Sequence, residues 1–403
     1  MIKRMLKSYD YSLIFAVFLL CGFGLVMVYS SSVITAVTKY KQHSDYFFNK
    51  QTKAFIIGSL IFLFTAFFPY KAFANRKFQK LLLLGSFCAL IALFGIGHVA
   101  GNAQSWYKIS NYSIQPGEFV KLTVILYLSS VYAKKQSYIN NLGTGIAPPA
   151  LLTVVLCVLV AVQPDFGTAF IIGLIALCII LCSGFSGKTL FKLLTLAGVV
   201  FVLVSPLILF NMDDILTKER LGRFESYQNP FEDRTGKGFQ VSNSLIAIGT
   251  GGIFGLGLGE SIQKYNYLPE AHTDFIMAVI AEELGVFGVL FVILLLSFIV
   301  IKGFYIARKC EDPFGSLLAI GISSMIALQT FINLGGISGL IPLTGVTLPF
   351  ISYGGSSLVV LLASMGILVN ISMFNEYFNR YKRKQSINTT KFKENQYQKS
   401  INY

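Results

Sequence analysis

Charge is scarce in this chain. Asp, Glu, Lys and Arg make up 13% of its 403 residues, about half of what a soluble domain carries. Histidine is scarcer still: His43, His98 and His272 stand far apart, which excludes a His-based metal cluster. The six cysteines show no CxxC spacing, and five of them fall inside apolar runs. That excludes a zinc site and a disulfide framework, and leaves them as small apolar packing residues. Nucleotide fingerprints are missing too. Gly187-Lys188-Thr189 looks like the end of a P-loop, but Cys182 stands where the earlier glycine is required. The Gly255–Gly259 run lacks the third-glycine spacing and the βαβ setting of a dinucleotide site. No nucleotide cofactor is expected.

Apolar residues fill the space. They form 54% of the chain, in recurring runs of about 20 residues, the length that carries a helix across about 30 Å of hydrocarbon. About ten such segments stand at 11–33, 53–68, 78–97, 118–133, 146–163, 167–183, 189–210, 274–301, 314–335 and 349–373. The fold class expected is an all-α polytopic membrane protein. Its single transmembrane domain covers 1–378, and the polar tail 379–403 has the composition of a disordered cytoplasmic extension. The first run is too long for a signal-peptide core and has no A-x-A-like cleavage site, so it reads as a retained helix.

The net charge of +14 does not point to nucleic acid, because the basic residues sit in short loops and at the C-terminus. Their bias gives the orientation. With both termini inside, the inner loops hold clusters such as Lys71, Arg76, Lys77 and Lys80, or Lys302, Arg308 and Lys309. The short outer loops hold only Lys39, Lys41, Lys50, Lys53 and Lys108. One long extracellular loop, 211–273, joins the seventh and eighth segments. Its apolar, glycine-rich second half, Ser244–Gly259, is expected to dip back to the membrane edge. Such backbone survives only where protein or a wet cavity satisfies its polar groups.

Polar residues beside these segments gather at the outer level. Glu118 and Lys121 open the fourth segment, after the loop with Trp106, the only tryptophan. Gln163-Pro164-Asp165 forms the turn between the fifth and sixth. His272 and Asp274 lead into the eighth, and Pro349–Ser357 into the tenth. Duller roles are open to each. Glu118 and Lys121 at i, i+3 can neutralise one another. Asp165 can cap a helix, and Asp274 can sit at a positive helix end. Trp106 can be an interfacial anchor. Arg220 and Arg223 can be solvated, although arginine also suits phosphate oxygens. Glu282 and Glu283 break the pattern, since they lie roughly 12–14 Å beyond Asp274 at 1.5 Å per residue. At that depth they must face the bundle interior.

Several stretches carry a family resemblance. They are Gln115-Pro116-Gly117-Glu118, Gln163–Thr168, Ala247-Ile248-Gly249, Tyr267-Leu268-Pro269-Glu270-Ala271-His272-Thr273-Asp274-Phe275, Glu282–Gly285 and Leu343–Gly355. In this order they resemble the SEDS proteins (shape, elongation, division and sporulation), with the division branch nearer than the elongation branch. The resemblance implies a ten-helix peptidoglycan glycosyltransferase of the bacterial cytoplasmic membrane, acting at the division septum. It would polymerise lipid II on the outer face and release undecaprenyl pyrophosphate. It would need a divalent cation, magnesium or manganese, and would work with a class B penicillin-binding protein and other division proteins. The family's essential acid falls on Asp274, which is also a possible metal ligand. Its cavity residues fall on Glu118, Lys121 and Asp165, and its loop tryptophan on Trp106. Two positions depart from the family pattern, Gly117 and Ser105, so neither is assigned a catalytic role.

The chemistry implied needs a base for a sugar hydroxyl and cationic help for a leaving diphosphate. Asp274 is expected as the base. Lys121, Arg220 and Arg223 are expected at the pyrophosphate, with Trp106, His272, Glu118 and Asp165 lining the substrate. Two rival classes stay open here: a lipid II flippase, which needs a polar path through the midplane, and a scaffold for division proteins.

Overall fold

A computed structural model describes residues 2–100, 103–109, 112–189, 191, 192, 195, 227, 230, 231, 237–265 and 267–382. A short helix α1 (Ile2–Leu6) precedes α2 (Tyr11–Thr38), α3 (Tyr46–Phe67) and α4 (Arg76–Ile96). Three short strands follow, β1 (His98–Ala100), β2 (Ala103–Ile109) and β3 (Tyr112–Ile114). Then come α5 (Pro116–Lys134), α6 (Ala147–Val162), α7 (Phe166–Leu181), α8 (Lys237–Gly251), α9 (Ile276–Lys309), α10 (Pro313–Ile337) and α11 (Gly355–Tyr377). Among the described residues, seven helices are long and apolar enough to cross a membrane. Nine of the expected apolar segments lie on helices. The other, 189–210, falls almost wholly outside the described residues, as do Arg220, Arg223 and the tail beyond Lys382.

Helix starts follow local chemistry. Asp10 caps α2 by accepting from the Leu13 N–H at 3.3 Å, and Asp312 caps α10 through the Gly315 N–H. Pro116 and Pro313 stand in the first turns of α5 and α10, where a missing N–H costs nothing. The bundle has two marked ends. Asp10 and Lys302 form an ion pair at 3.1 Å beside the N-terminus. Lys39 and Glu270 form one at the opposite end. Many bundle side chains that point outward are large and apolar, among them Phe15, Leu60, Leu81 and Leu294, as a lipid-facing surface requires.

The structure bears out the all-α class and refines the expectation in four places. The all-α class gains a small antiparallel sheet in order β1-β2-β3, folded from the loop that holds Trp106. Its strands are too short and its sequence too polar to stand out against the apolar helices. The long loop is not loop throughout: Lys237–Gly251 forms α8, packed on α9. Glycines at its end had obscured the helical spacing before them. The last span begins at Gly355 rather than 349, because Phe350 takes a left-handed φ of 66° and breaks any helix there.

The fourth correction is in α9, which is interrupted at Gly285, with φ 63° and ψ −156°. A Cβ at Gly285 would lie 2.4 Å from the Ile253 carbonyl oxygen, so only glycine fits. The segment after α8 enters this break. Leu256 N–H donates to the Glu282 carbonyl and Gly257 N–H to that of Glu283, each at 2.9 Å, while Val286 N–H reaches the Gly252 and Ile253 carbonyls. The freed backbone groups thus find partners inside the protein, the condition for irregular backbone at membrane depth. Glu282 lies about 9 Å along the helix from Ile276, so the long loop reaches back along α9 to that distance.

Candidate active site

The site is assembled by the loop between α10 and α11, residues 338–354, which lies among four other segments. Asn333 near the end of α10 donates to two carbonyls, Asp274 at 2.8 Å and Val346 at 2.7 Å. That one amide fixes the turn before α9 to the 338–354 loop. Tyr353 N–H donates to the His272 carbonyl at 2.9 Å. Gln51 of α3 donates to the Ser352 carbonyl and accepts from Gly354 N–H. The Thr344 carbonyl oxygen lies only 2.7 Å from where a Cβ of Gly167 would stand, bringing the start of α7 against the same loop.

Asp274 does not open a helix. It lies in a turn, one residue before the cap position Phe275, whose side chain makes no cap bond. Its carboxylate faces Gly345: a Cβ on that glycine would be 3.4 Å from Oδ2. Gly345 has φ 74°, a conformation that costs other residues about 1–2 kcal/mol. Gly345→Val is therefore expected to push methyl groups onto the carboxylate and lower turnover about ten- to a hundredfold, as misplaced reacting groups do. Gly339→Val is the control, because Gly339 has φ 72° but open space around its Cβ position. Initial rates of the catalysed reaction compare the two; equal loss in both would assign the effect to backbone strain alone.

Asp165 plays two parts. It caps α7 through the Thr168 N–H at 3.2 Å, and it accepts from Gln115 Nε2 at 2.6 Å. Burial pushes its carboxyl up from the ordinary carboxylate range, and the charge of Glu118 adds to the rise, against the bonds from Thr168 and Gln115. Glu118 and Lys121 form the expected i, i+3 pair, with Lys121 Nζ 2.7 Å from Oε2, and both are buried. Lys121 is thus paired with Glu118 and does not present a free ammonium to solvent. Gly117 is the reason these pieces fit: a Cβ there would press on the Thr168 methyl at 3.0 Å.

Trp106 sits in β2 opposite His98 and is half-buried. Its sheet joins the rim through Ser356, whose hydroxyl donates to the Ser113 carbonyl and accepts from Gln115 N–H. His272 is 2% exposed. Its ring lies 4.3 Å from that of Phe47 and 5.5 Å from that of Tyr353, and its Nδ1 has no hydrogen-bond partner among the described residues. It packs inside the rim and does not line open space. Burial lowers its pKa to about 4, outweighing the opposite pull of Glu270. A group that binds its proton less readily when folded contributes stability above its unfolded pKa of about 6.5 and loses it as pH falls. Between pH 6.5 and 4 the loss amounts to roughly 3 kcal/mol at most. His272→Phe keeps the ring contacts and is expected to flatten the melting temperature over that window; an unchanged slope would contradict the neutral buried ring.

The deep pair, Glu282 and Glu283, is fully buried and fully partnered. Glu282 accepts from the Ser261 hydroxyl and from Ile262 N–H at 3.0 Å. Glu283 accepts from Ser30 of α2 at 2.7 Å and from Lys264 Nζ at 2.9 Å. Lys264 was not singled out by the sequence, because a lysine in a long polar loop reads as solvated. Asn333 was missed as well, although a buried amide in an apolar helix is a signal in itself.

The family model described as a cell cycle protein, covering FtsW, RodA and SpoVE, matches residues 11–377. The chain belongs to this family. It is 69% identical over 401 residues to the probable peptidoglycan glycosyltransferase FtsW of Bacillus subtilis, covering 100% of both chains. It is 38% identical to stage V sporulation protein E of the same organism, over 92% of this chain and 98% of that one. Two solved structures share its fold. One is a chain of a peptidoglycan synthase complex, at TM-score 0.70 and 24% identity over 91% of this chain and 98% of the other. The second is the rod shape determining protein RodA of Thermus thermophilus, at TM-score 0.60 and 24% identity over 93% of this chain and 98% of the other. The FtsW/RodA/SpoVE fold is thus the frame on which Asp274 and the start of α7, which Asp165 caps, meet the 338–354 loop.

Proposed function

We propose that this chain is a peptidoglycan glycosyltransferase that polymerises lipid II on the outer face of the bacterial cytoplasmic membrane. The observation that carries this reading is the Asp274 carboxylate held at the glycine-lined 338–354 loop, at the bundle end away from the termini. Asp165, on which the charge of Glu118 acts, caps α7, and the start of α7 meets the same loop through Gly167. In the reaction, the 4-hydroxyl oxygen of one sugar attacks the anomeric carbon of another. The carbon–oxygen bond to pyrophosphate breaks, undecaprenyl pyrophosphate leaves, and the hydroxyl proton passes to Asp274. Asn333 anchors the backbone carbonyl of Asp274, and Gly345 leaves room beside the carboxylate. Glu118, Lys121 and Asp165 shape the neighbouring wall. Arg220 and Arg223, outside the described residues, are the candidates for the pyrophosphate.

A divalent cation fits this donor set in one way. Among the described residues no three His, Cys, Asp or Glu side chains gather as a metal cage. Magnesium commonly takes one or two carboxylates and completes its shell with substrate phosphates, and Asp274 is the residue that would hold it. Bound there, the ion would neutralise charge on the leaving diphosphate.

The partner expected is a class B penicillin-binding protein, and the place of action is the division septum. The identity to the FtsW relative, above that to the sporulation relative, supports the division role. The flippase reading loses support from the deep carboxylates, because Glu282 and Glu283 are closed by Ser261, Ser30 and Lys264 and line no open path. Purified protein supplied with lipid II, alone and with the penicillin-binding partner, tests the proposal. Ladders of glycan strands are expected. Their absence under both conditions, with lipid II crossing vesicles instead, would replace the polymerase by a transporter.

A further inference from the structure

A second site lies at the other end of the bundle, where no part of the proposed reaction takes place. The ends of α2, α9 and α11 border an open recess of about 310 Å³. Four cations line it, Lys7, Lys302, Lys309 and Arg380, against two carboxylates, Asp10 and Glu376. The carboxylates are already engaged: Asp10 with Lys302 at 3.1 Å and with the N-terminus of α2, Glu376 with Arg380 at 2.7 Å. Lys7 and Lys309 make no ion pair among the described residues. Lys309 Nζ lies 4.4 Å from the Tyr305 ring centre, which steadies the cation without neutralising it. Ser372 and Asn379 add polar side chains to the lining. The result is a polar recess with surplus positive charge.

The walls indicate what the ligand is attached to. Tyr11 at the mouth is followed on the same face of α2 by Phe15, 68% exposed. Tyr305 is preceded on the same face of α9 by Ile301, 67% exposed. Both helices therefore continue the basic recess into an apolar, outward-facing strip. A soluble anion would gain nothing from that strip, whereas a phospholipid would lay its acyl chains along it. Scattered lysines at an inner membrane surface satisfy orientation rules without any cavity. Here they converge on a recess between helix ends, the arrangement by which basic pockets hold anionic headgroups.

We propose that this recess binds the phosphate of an anionic phospholipid, with its acyl chains along Phe15 and Ile301. The site does not depend on the glycosyltransferase reading, and it would persist if that reading failed. It would tie the N-terminal segment Lys7–Tyr11 to the ends of α9 and α11 in a membrane rich in anionic lipid.

The test uses the full chain in nanodiscs of phosphatidylglycerol or phosphatidylcholine, with lipid retention read by native mass spectrometry. The native chain is expected to retain phosphatidylglycerol preferentially. The double variant Lys7→Gln, Lys309→Gln is expected to lose about tenfold of that preference. Lys71→Gln, Lys77→Gln removes the same charge elsewhere on this end and is expected to retain it. Equal retention of the two lipids by the native chain, or equal loss in both double variants, would overturn the proposal. Displacement of the lipid by millimolar inorganic phosphate would assign the recess to a soluble anion and overturn the lipid assignment.

Discussion

Asp274→Asn is expected to lower glycan polymerisation by about two to four orders of magnitude, the usual contribution of a positioned general base. Asparagine has nearly the same shape, so the fold should survive. The Asn333 bond goes to the backbone carbonyl of residue 274 and not to its side chain, so the turn keeps its anchor. What the substitution removes is the negative charge beside Gly345. The loss should therefore fall on turnover, with lipid II binding little changed. Polymerisation within a few-fold of native would contradict the role given to Asp274. A collapse of folding, seen as aggregation in detergent, would mean that the carboxylate is structural.

Lys264→Met is expected to destabilise the protein by about 3–5 kcal/mol, the cost of leaving a buried charge without its partner. Glu283 is wholly buried, and Lys264 itself is 5% exposed. Without the ammonium, Glu283 keeps only the Ser30 hydroxyl. The damage should spread, because the segment 252–264 occupies the break in α9 and leads directly to the turn that carries Asp274. Replacing both partners, Lys264→Met with Glu283→Gln, should restore much of the loss, since no unpaired charge then remains. Thermal unfolding of the three proteins in one detergent decides it. A single variant as stable as the native chain would mean that water reaches Glu283. A double variant no better than the single one would mean that Lys264 acts mainly through the Gly259 carbonyl, to which it also donates.

The helices were legible because lipid imposes a length and a composition that few other environments require. The polar residues beside the helix ends stood out for a related reason: ionisable groups are costly in apolar surroundings, so their positions carry information. What the sequence hid were features set by backbone meeting backbone. Gly285 looked like one glycine among 36, yet it breaks α9 because residues 252–257 fill the gap. Gly345 gave no sign that it stands against Asp274. The partners of Glu282 and Glu283 lie in α2 and in the long loop, and no local spacing links Ser30 or Lys264 to them. His272 was placed with the substrate by its neighbourhood in the chain, while Phe47 and Tyr353, distant in sequence, enclose its ring.

Cross-linking of lipid II that carries a photoreactive group on its reacting sugar tests the central claim most directly. The substrate is offered to the full chain in nanodiscs and the labelled peptides are identified. Labels are expected within 115–121, 163–168, 267–275 and 343–347, the segments that frame Asp274. Labels confined to the other end of the bundle, around Lys302 and Arg380, would contradict the placement of glycosyl transfer at Asp274.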